Sequence, residues 1–435
     1  MSSICLFLSI HEPFMLRRYS VFDLGQNSLY EDDERNCARI QHLAKNVYLP
    51  AIETLLDQIR RFNGEFRLAC HASIPALELF DQYAPEVIDG LRALADSKAV
   101  EFVAGAAHSL AFLYSRAEFE RQLKYYTQMT QDRFGQKPTC VCSTELIYNN
   151  DFASALYDLG YKVMLAEGAD HILGWRSPNF VYSPEKSPNM RLLLRNRRLS
   201  RDLSLRFSDR SWDKWPLSTE TYAKWCAEGS KQCDIVNLFM NMNVFGLVNT
   251  RDSGIFSFLA DLPSSMLKAG LKFATPKEII RKYSSRDTID VKQFISWDDA
   301  GGDLNSWLGN DMQKDAVHFL YSLTDRVHAT NNPDLLHDFT RLQTSNYLRW
   351  MSTKWFAATI TREASPFSTP QEAYTTYMNI LADFEMRLDN TLAIKSASIK
   401  PTLRAKIRDN SASKTKSIAH NKGENVKQRP KQMVA

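Results

Sequence analysis

The sequence predicts an α/β chain, a parallel β/α barrel followed by a C-terminal helical module, on three observations. Over roughly the first 280 residues, short apolar β-prone runs alternate with helical stretches, the βα rhythm that builds a parallel sheet. Several runs, most clearly 234–240, are apolar almost throughout, as a strand covered on both faces must be. From Asp311 the strand signal stops, and helical patterning continues to about Leu392. Seven or eight strands favour a barrel over an open sheet, although the count leaves closure open.

Residues 4–8 read as the first strand, and the apolar run is cut short by His11, Glu12 and Pro13. That makes it a buried strand and not an export signal. A helix is expected over 34–62, where Ile40, Leu43, Val47, Leu55, Leu56 and Ile59 form an apolar stripe. Strand 66–70 and helix 75–98 follow, with Pro75 and Pro85 as residues near helix starts. Next come strand 100–104, helix 116–134, strand 139–142, helix 151–159 and strand 162–166. Residues 168–187 break the rhythm with Gly, Pro, Trp175, Phe180 and Tyr182, and read as a functional loop. Strand 190–195, a polar stretch 198–215, strand 234–240, helix 254–268, strand 271–274 and a helix opened by Pro276 complete the pattern. Pro333, Pro366 and Pro370 mark turns in the helical module. The expected units are a barrel over 1–285, a helical module over 286–392 and a tail over 393–435.

Hydrophobic content of 44% and charged content of 24% in 435 residues are ordinary for a globular chain with a sizeable core. No run reaches membrane-spanning length. The formal charge of +4 is unevenly spread: residues 395–435 hold eleven Lys or Arg against Asp409 and Glu424, a net +9, which leaves −5 on the rest. A basic tail without aromatic residues is expected to be disordered. The seven cysteines, Cys5, Cys37, Cys70, Cys140, Cys142, Cys226 and Cys233, form no Cys-x-x-Cys pair and read as reduced thiols of a cytoplasmic protein. Cys140 and Cys142 share a strand face, but no second pair or nearby His makes a metal site of them. No cofactor is expected.

The stretch 139–150 ends a β-prone run on Glu145, beside Thr144, Tyr148, Asn149 and Asn150. Chemistry in β/α folds sits at the carboxyl ends of strands, so Glu145 is the leading candidate, with a loop or capping acid as the alternative. His11 follows the first strand and reads either as a hydrogen-bonded site or core His or as a proton-transfer group. Trp297 and Trp307 are either core residues or platforms on which sugar C–H faces stack. Asp209 and Arg206 are expected to form a local ion pair.

Four segments together resemble glycoside hydrolase family 57, in its α-amylase-like group. His11-Glu-Pro13 is similar to that family's opening His-Gln-Pro, and Ser143-Thr-Glu-Leu-Ile-Tyr-Asn149 to the segment bearing its nucleophile. Phe239-Met-Asn-Met-Asn-Val-Phe-Gly246 is similar to Phe-Met-Asp-Tyr-Glu-Thr-Phe-Gly. Ser296-Trp-Asp-Asp-Ala-Gly-Gly-Asp-Leu-Asn-Ser-Trp-Leu-Gly-Asn310 is similar to the family's Ser-Trp-Ala-Asp segment ending in Trp-Leu-Gly-Asn. The likeness runs from about residue 4 to about residue 390 and implies an incomplete (β/α)7 barrel with a helical extension, acting on α-glucans with retention.

The resemblance also implies the roles. Glu145 matches the nucleophile, and the acid/base aspartate falls on Asn241, which has no proton to deliver. The family's neighbouring charges are replaced by Asn243, Leu247 and Val248, and by Gly301 and Gly302 in the last segment. His108 stands near a position where the α-amylase-like group carries Glu. His11, Tyr148, Trp175, Trp297, Asp299, Trp307 and Asn310 are the implied or expected substrate-binding residues. The expected function is α-glucan or oligosaccharide binding, or regulation of an active relative, with catalysis impaired or lost. A rival is an active retaining hydrolase or 4-α-glucanotransferase in which Asp299, Asp252 or Asp209 supplies the acid. A third reading gives the basic tail contact with nucleic acid or another polyanion.

Overall fold

The computed structural model describes residues 2–105, 107–298, 301–354 and 365–419, with side chains as far as Lys395. Ten strands are described: β1 (Ser3–Ile10), β2 (Leu68–Ala72), β3 (Val100–Phe102), β4 (Cys140–Cys142), β5 (Val163–Glu167), β6 (Val181–Pro184), β7 (Arg191–Arg195), β8 (Ile235–Asn241), β9 (Lys272–Phe273) and β10 (Asp287–Ile289). Two parallel ladders carry the barrel, β3-β2-β1-β8 and β4-β5-β7. They meet at two seams. At the first, Ala104 bridges to Val141, with Ala104 N–H donating to the Cys140 carbonyl at 2.8 Å. At the second, between β7 and β8, Asn196 N–H donates to the Asn237 carbonyl at 2.8 Å and the Asn237 side chain donates to the Leu194 carbonyl at 2.8 Å. This seven-stranded ring, joined at one seam by isolated backbone and side-chain hydrogen bonds in place of a ladder, is an incomplete (β/α)7 barrel.

Alternation along the strands sorts the core. Cys5, Phe7, Cys140, Cys142, Leu165 and Phe239 pack inside the ring, while Ile4, Leu6, Leu8, Val141, Met164 and Leu238 face the surrounding helices. All seven cysteines are free, and burial pushes the Cys5 and Cys140 thiols well up.

Prolines explain where the helices differ from expectation. The single helix expected over 34–62 is two, Asp33–Leu43 and Leu49–Arg61, joined by a π-helical turn at Ala44–Tyr48. Pro50 has no N–H for the Asn46 carbonyl, so the regular ladder is interrupted there. The helix expected over 75–98 is Ile74–Tyr83 and Pro85–Asp96. It breaks at Ala84, whose φ of −154° and ψ of 61° lie outside the helical region, which the proline that follows disfavours. The stretch 168–187 is not merely a loop: it holds a short helix, Asp170–Leu173, and β6, which runs antiparallel to β7 and pairs with β10. The polar stretch 198–215 opens as a helix, Arg197–Leu205.

The boundary placed at 285 falls just before β10. Residues beyond it return to the barrel, where Tyr148 and Ile295 exchange backbone hydrogen bonds at 2.9 Å. The helical module comprises Asp311–Ser322, Thr324–Thr330, Pro333–Leu342, Asn346–Arg349 and the long Pro370–Ala419. The boundary at 392 lies inside that last helix, whose backbone runs on to Ala419 through part of the segment expected to be disordered. Lys, Arg and Ala are good helix formers whatever their hydropathy. Residues 420–435 lie outside the described residues. Among the described residues, no helix is long and apolar enough to cross a membrane.

Candidate active site

Glu145 sits just past β4, where Thr144–Leu146 form a tight turn. Glu145 and Leu146 both take left-handed backbone conformations, φ +48° and +51°, which non-glycine residues hold only when the surroundings impose them. The surroundings do so here. The Thr144 hydroxyl donates to the Ser109 carbonyl at 2.8 Å and Ser143 Oγ to the Ile147 carbonyl at 2.6 Å. The Glu145 carbonyl accepts from Trp297 N–H at 3.0 Å.

Both carboxylate oxygens are engaged. His108 Nε2 lies 3.2 Å from Oε1, and Trp297 Nε1 donates to Oε2. Burial alone would raise this carboxyl; the hydrogen bond and charge of His108, the charge of Arg349 and the Trp297 indole outweigh it and hold it down at about 2. His108 Nδ1 in turn lies 3.0 Å from Ser345 Oγ. Its ring stacks on His11, centroids 3.4 Å apart and planes 4° from parallel. His11 Nε2 donates to Asn346 Oδ1 at 2.7 Å, so its Nδ1 in the neutral ring accepts from the Ser73 hydroxyl at 2.7 Å. Burial, with the charges of His108, His71 and Arg39, pushes His11 well below the ordinary value, against the bond to Asn346. His11 is therefore a neutral, doubly hydrogen-bonded ring.

One pocket at this end of the ring is lined by Ser9, His71, His108, Ser143, Thr144, Glu145, Asn241 and Trp297, over a floor of Phe7 and Cys142. Asn241 is the last residue of β8 and the register partner of Ser9. Glu145 is the one carboxylate among the described residues that line the pocket. His71, at the end of β2, is pushed down to about 4 by burial. The Trp297 ring carries the Arg195 guanidinium at 5.3 Å, and Arg195 is tied to the buried Glu167 at 2.9 Å. Arg349 pairs with Asp298 at 2.8 Å, next to Trp297 in the chain. Among the described residues no cluster of three or more His, Cys, Asp or Glu is placed to hold a metal ion.

The other expected residues are elsewhere. Tyr148 and Trp307 are core residues, 0% and 1% exposed. Asn310 caps helix Asp311–Ser322, accepting from Gln313 N–H at 3.0 Å and donating to the Met351 carbonyl at 2.9 Å. Trp175 is 95% exposed and does not line the pocket. Asp209 is an exposed turn acid accepting from Ser211, and Arg206 pairs with Asp202 at 3.0 Å instead of with Asp209. Asp252 is exposed in a short turn. Asp299 lies outside the described residues. Sequence reasoning missed His71, Arg349, Ser345 and Asn346 and gave His108 too little weight; only the position of His108 after a strand signalled it.

Fold and site define a β/α-barrel protein with its polar pocket at the carboxyl ends of the strands, the face on which such barrels act. The chain belongs to glycosyl hydrolase family 57: residues 5–292 match that family. A protein of Methanocaldococcus jannaschii named "Putative alpha-amylase" is 33% identical over 404 residues, covering 88% of this chain and 84% of its own length. Solved structures share the fold at low identity. A family 57 branching enzyme from Thermococcus kodakaraensis superposes with a TM-score of 0.64 at 14% identity, over 89% of this chain and 90% of its own. A 4-α-glucanotransferase from Thermococcus litoralis gives 0.57 at 13%, over 81% of this chain and 59% of its own.

Proposed function

We propose that this chain is an α-amylase-like member of family 57 that holds α-glucan in the Glu145 pocket and is impaired in glycoside hydrolysis, acting by glucan binding or by regulating an active relative. The observation that supports this is that Glu145 and Asn241, which by motif resemblance match the family's nucleophile and acid/base aspartate, line one pocket. A retaining mechanism needs two carboxyl groups about 5 to 5.5 Å apart, one attacking carbon and the other protonating the leaving oxygen. An amide supplies donors and acceptors for a sugar hydroxyl but no titrating proton. General acid help is worth roughly 10² to 10⁴ in rate. His108 does not replace it, because its Nε2 faces Glu145 itself at 3.2 Å.

The names of the relatives, an α-amylase, a branching enzyme and a glucanotransferase, support α-glucan as the ligand. Trp297 and Asn241 supply aromatic surface and polar contacts, so binding is expected at about 10⁻³ to 10⁻⁴ M, or roughly 4 to 5.5 kcal/mol. Titration calorimetry with maltoheptaose tests it. Binding in that range that is lost in Trp297→Ala and kept in Trp175→Ala is the expected result; no heat at millimolar sugar contradicts the reading. An active enzyme using Asp299 is the rival, favoured by the place of Asp299 two residues after Trp297 in the chain. Maltooligosaccharide turnover abolished by Asp299→Asn would establish it.

A further inference from the structure

We propose that Gln122, supported by Glu118 and Gln343, is a positioning residue for the Glu145 site: it holds the loop that presents His108 to the Glu145 carboxylate. Gln122 lies on the helix Arg116–Phe134 and is 0% exposed. Its Oε1 accepts from Ala107 N–H at 3.3 Å and from Ser109 Oγ at 2.7 Å, the two residues on either side of His108. Its Nε2 donates to Glu118 Oε1 at 2.7 Å and to Gln343 Oε1 at 2.9 Å. All four hydrogen-bonding positions of one buried carboxamide are thus filled, and the partners leave only one way round for the amide.

The loop needs such a clamp. His108 has a φ of +56°, a left-handed conformation that costs free energy and persists where neighbours over-determine it. From that conformation its Nε2 reaches Glu145, its Nδ1 reaches Ser345 and its carbonyl accepts from Ser345 N–H at 2.9 Å. The next residue, Ser109, accepts through its carbonyl from Thr144, beside Glu145. The same carboxamide therefore governs both contacts the loop makes with the Glu145 turn.

Behind Gln122 the support is rigid and ionic. Glu118, 0% exposed, accepts two hydrogen bonds from Arg121 at 2.8 Å each and one from Gln343 Nε2 at 2.8 Å, and its Oε2 lies 2.7 Å from His328 Nε2. Gln343 and His328 belong to the helical module, Gln122 and Glu118 to the barrel. The module thus reaches the site by two routes, directly through Ser345 and Asn346 and indirectly through the Gln122 carboxamide. The charged and titratable groups acting on Glu145 are His108 and Arg349, with His11 stacked behind His108 and His71 across the pocket.

This inference rests on Glu145 being the functional carboxylate, and its test is independent of sugar binding. In full-length protein labelled with ¹³C at Glu carboxyl carbons, the Glu145 signal is assigned by its loss in Glu145→Gln and followed from pH 7 downward. Wild-type Glu145 is expected to stay ionised to the acid limit of the folded protein. In Gln122→Leu its midpoint rises by about one pH unit or more, because displacement of the loop weakens the His108 contact that holds the carboxyl down. Leu91→Ala, which empties core space on the separate helix Pro85–Asp96, leaves the midpoint unmoved while lowering thermal stability. Ser109→Ala, milder and sure of a folded sample if Gln122→Leu unfolds, moves it in the same direction by less. An unmoved midpoint in both loop variants, or an equal rise in Leu91→Ala, overturns the proposal.

Discussion

Glu145 is held by neighbours that lie far away in the chain: His108, Trp297 and, through its charge, Arg349. Its own place was legible, since a β-prone run ending on a carboxylate has a physical meaning in a β/α fold, and Asn241 was legible for the same reason. The partners were not, because long-range packing alone brings Ser345 and Asn346 of the module against the two stacked histidines. Motif likeness also marked residues that hold the fold, so Tyr148, Trp307 and Asn310 read as site residues although two are core and one is a helix cap. Asn310→Ala should therefore cost about 1 kcal/mol of stability, the usual value of an N-cap, and change maltoheptaose affinity less than twofold. Denaturant unfolding beside calorimetry checks both. His71 gives a pH prediction. Its folded value is lowered from 6.5 to about 4, so the unfolded chain takes up the proton first as pH falls. Stability from this group is complete above pH 6.5 and is lost down to about pH 4, in total about 3 kcal/mol. Unfolding free energies measured across that window should fall less steeply in His71→Gln; an unchanged slope contradicts the assignment.

At the scale of elements, the barrel strands were legible because each carries an apolar run that must be covered on both faces. β6 and β10 were not: β6 is four residues among Gly, Pro and aromatics, and β10 is a polar triplet with one buried residue. They exist through pairing with β7 and with each other, not through propensity. Pro85 marked a helix start in the sequence, and the structure begins a new helix there; the break at 44–48 could have been read in the same way from Pro50, because proline restricts the residue before it and removes a donor. The π-helical turn also fixes the end of β8. Gly246, after Asn241 and Asn243, has a φ of +113°, and a Cβ there would lie 2.2 Å from the Asn46 carbonyl oxygen. Gly246→Ala should destabilise the protein by at least about 2 kcal/mol through backbone strain and that clash. A thermal midpoint equal to wild type would show that the two elements are not so closely apposed.

At the scale of the molecule, the helical module braces the pocket from behind, since Ser345 and Asn346 hydrogen-bond to the stacked His108 and His11. The last helix contributes through its first half, where Asp383 accepts from Tyr30 at 2.7 Å and from Gly25 N–H at 2.6 Å. Removing residues 396–435, with their basic charge, should leave both the unfolding midpoint and maltoheptaose binding at wild-type values. A drop in either on truncation would give that segment a role in the body of the protein. The central claim is that Asn241 has removed the proton donor from an otherwise retained glucan pocket. The measurement that tests it most directly is maltooligosaccharide turnover by the wild-type protein beside Asn241→Asp. The account predicts no appreciable turnover in wild type and a gain in Asn241→Asp, within the roughly 10² to 10⁴ that a general acid supplies. Wild-type turnover at ordinary enzyme rates, roughly 1 to 10³ per second, undiminished by the state of residue 241, would contradict it.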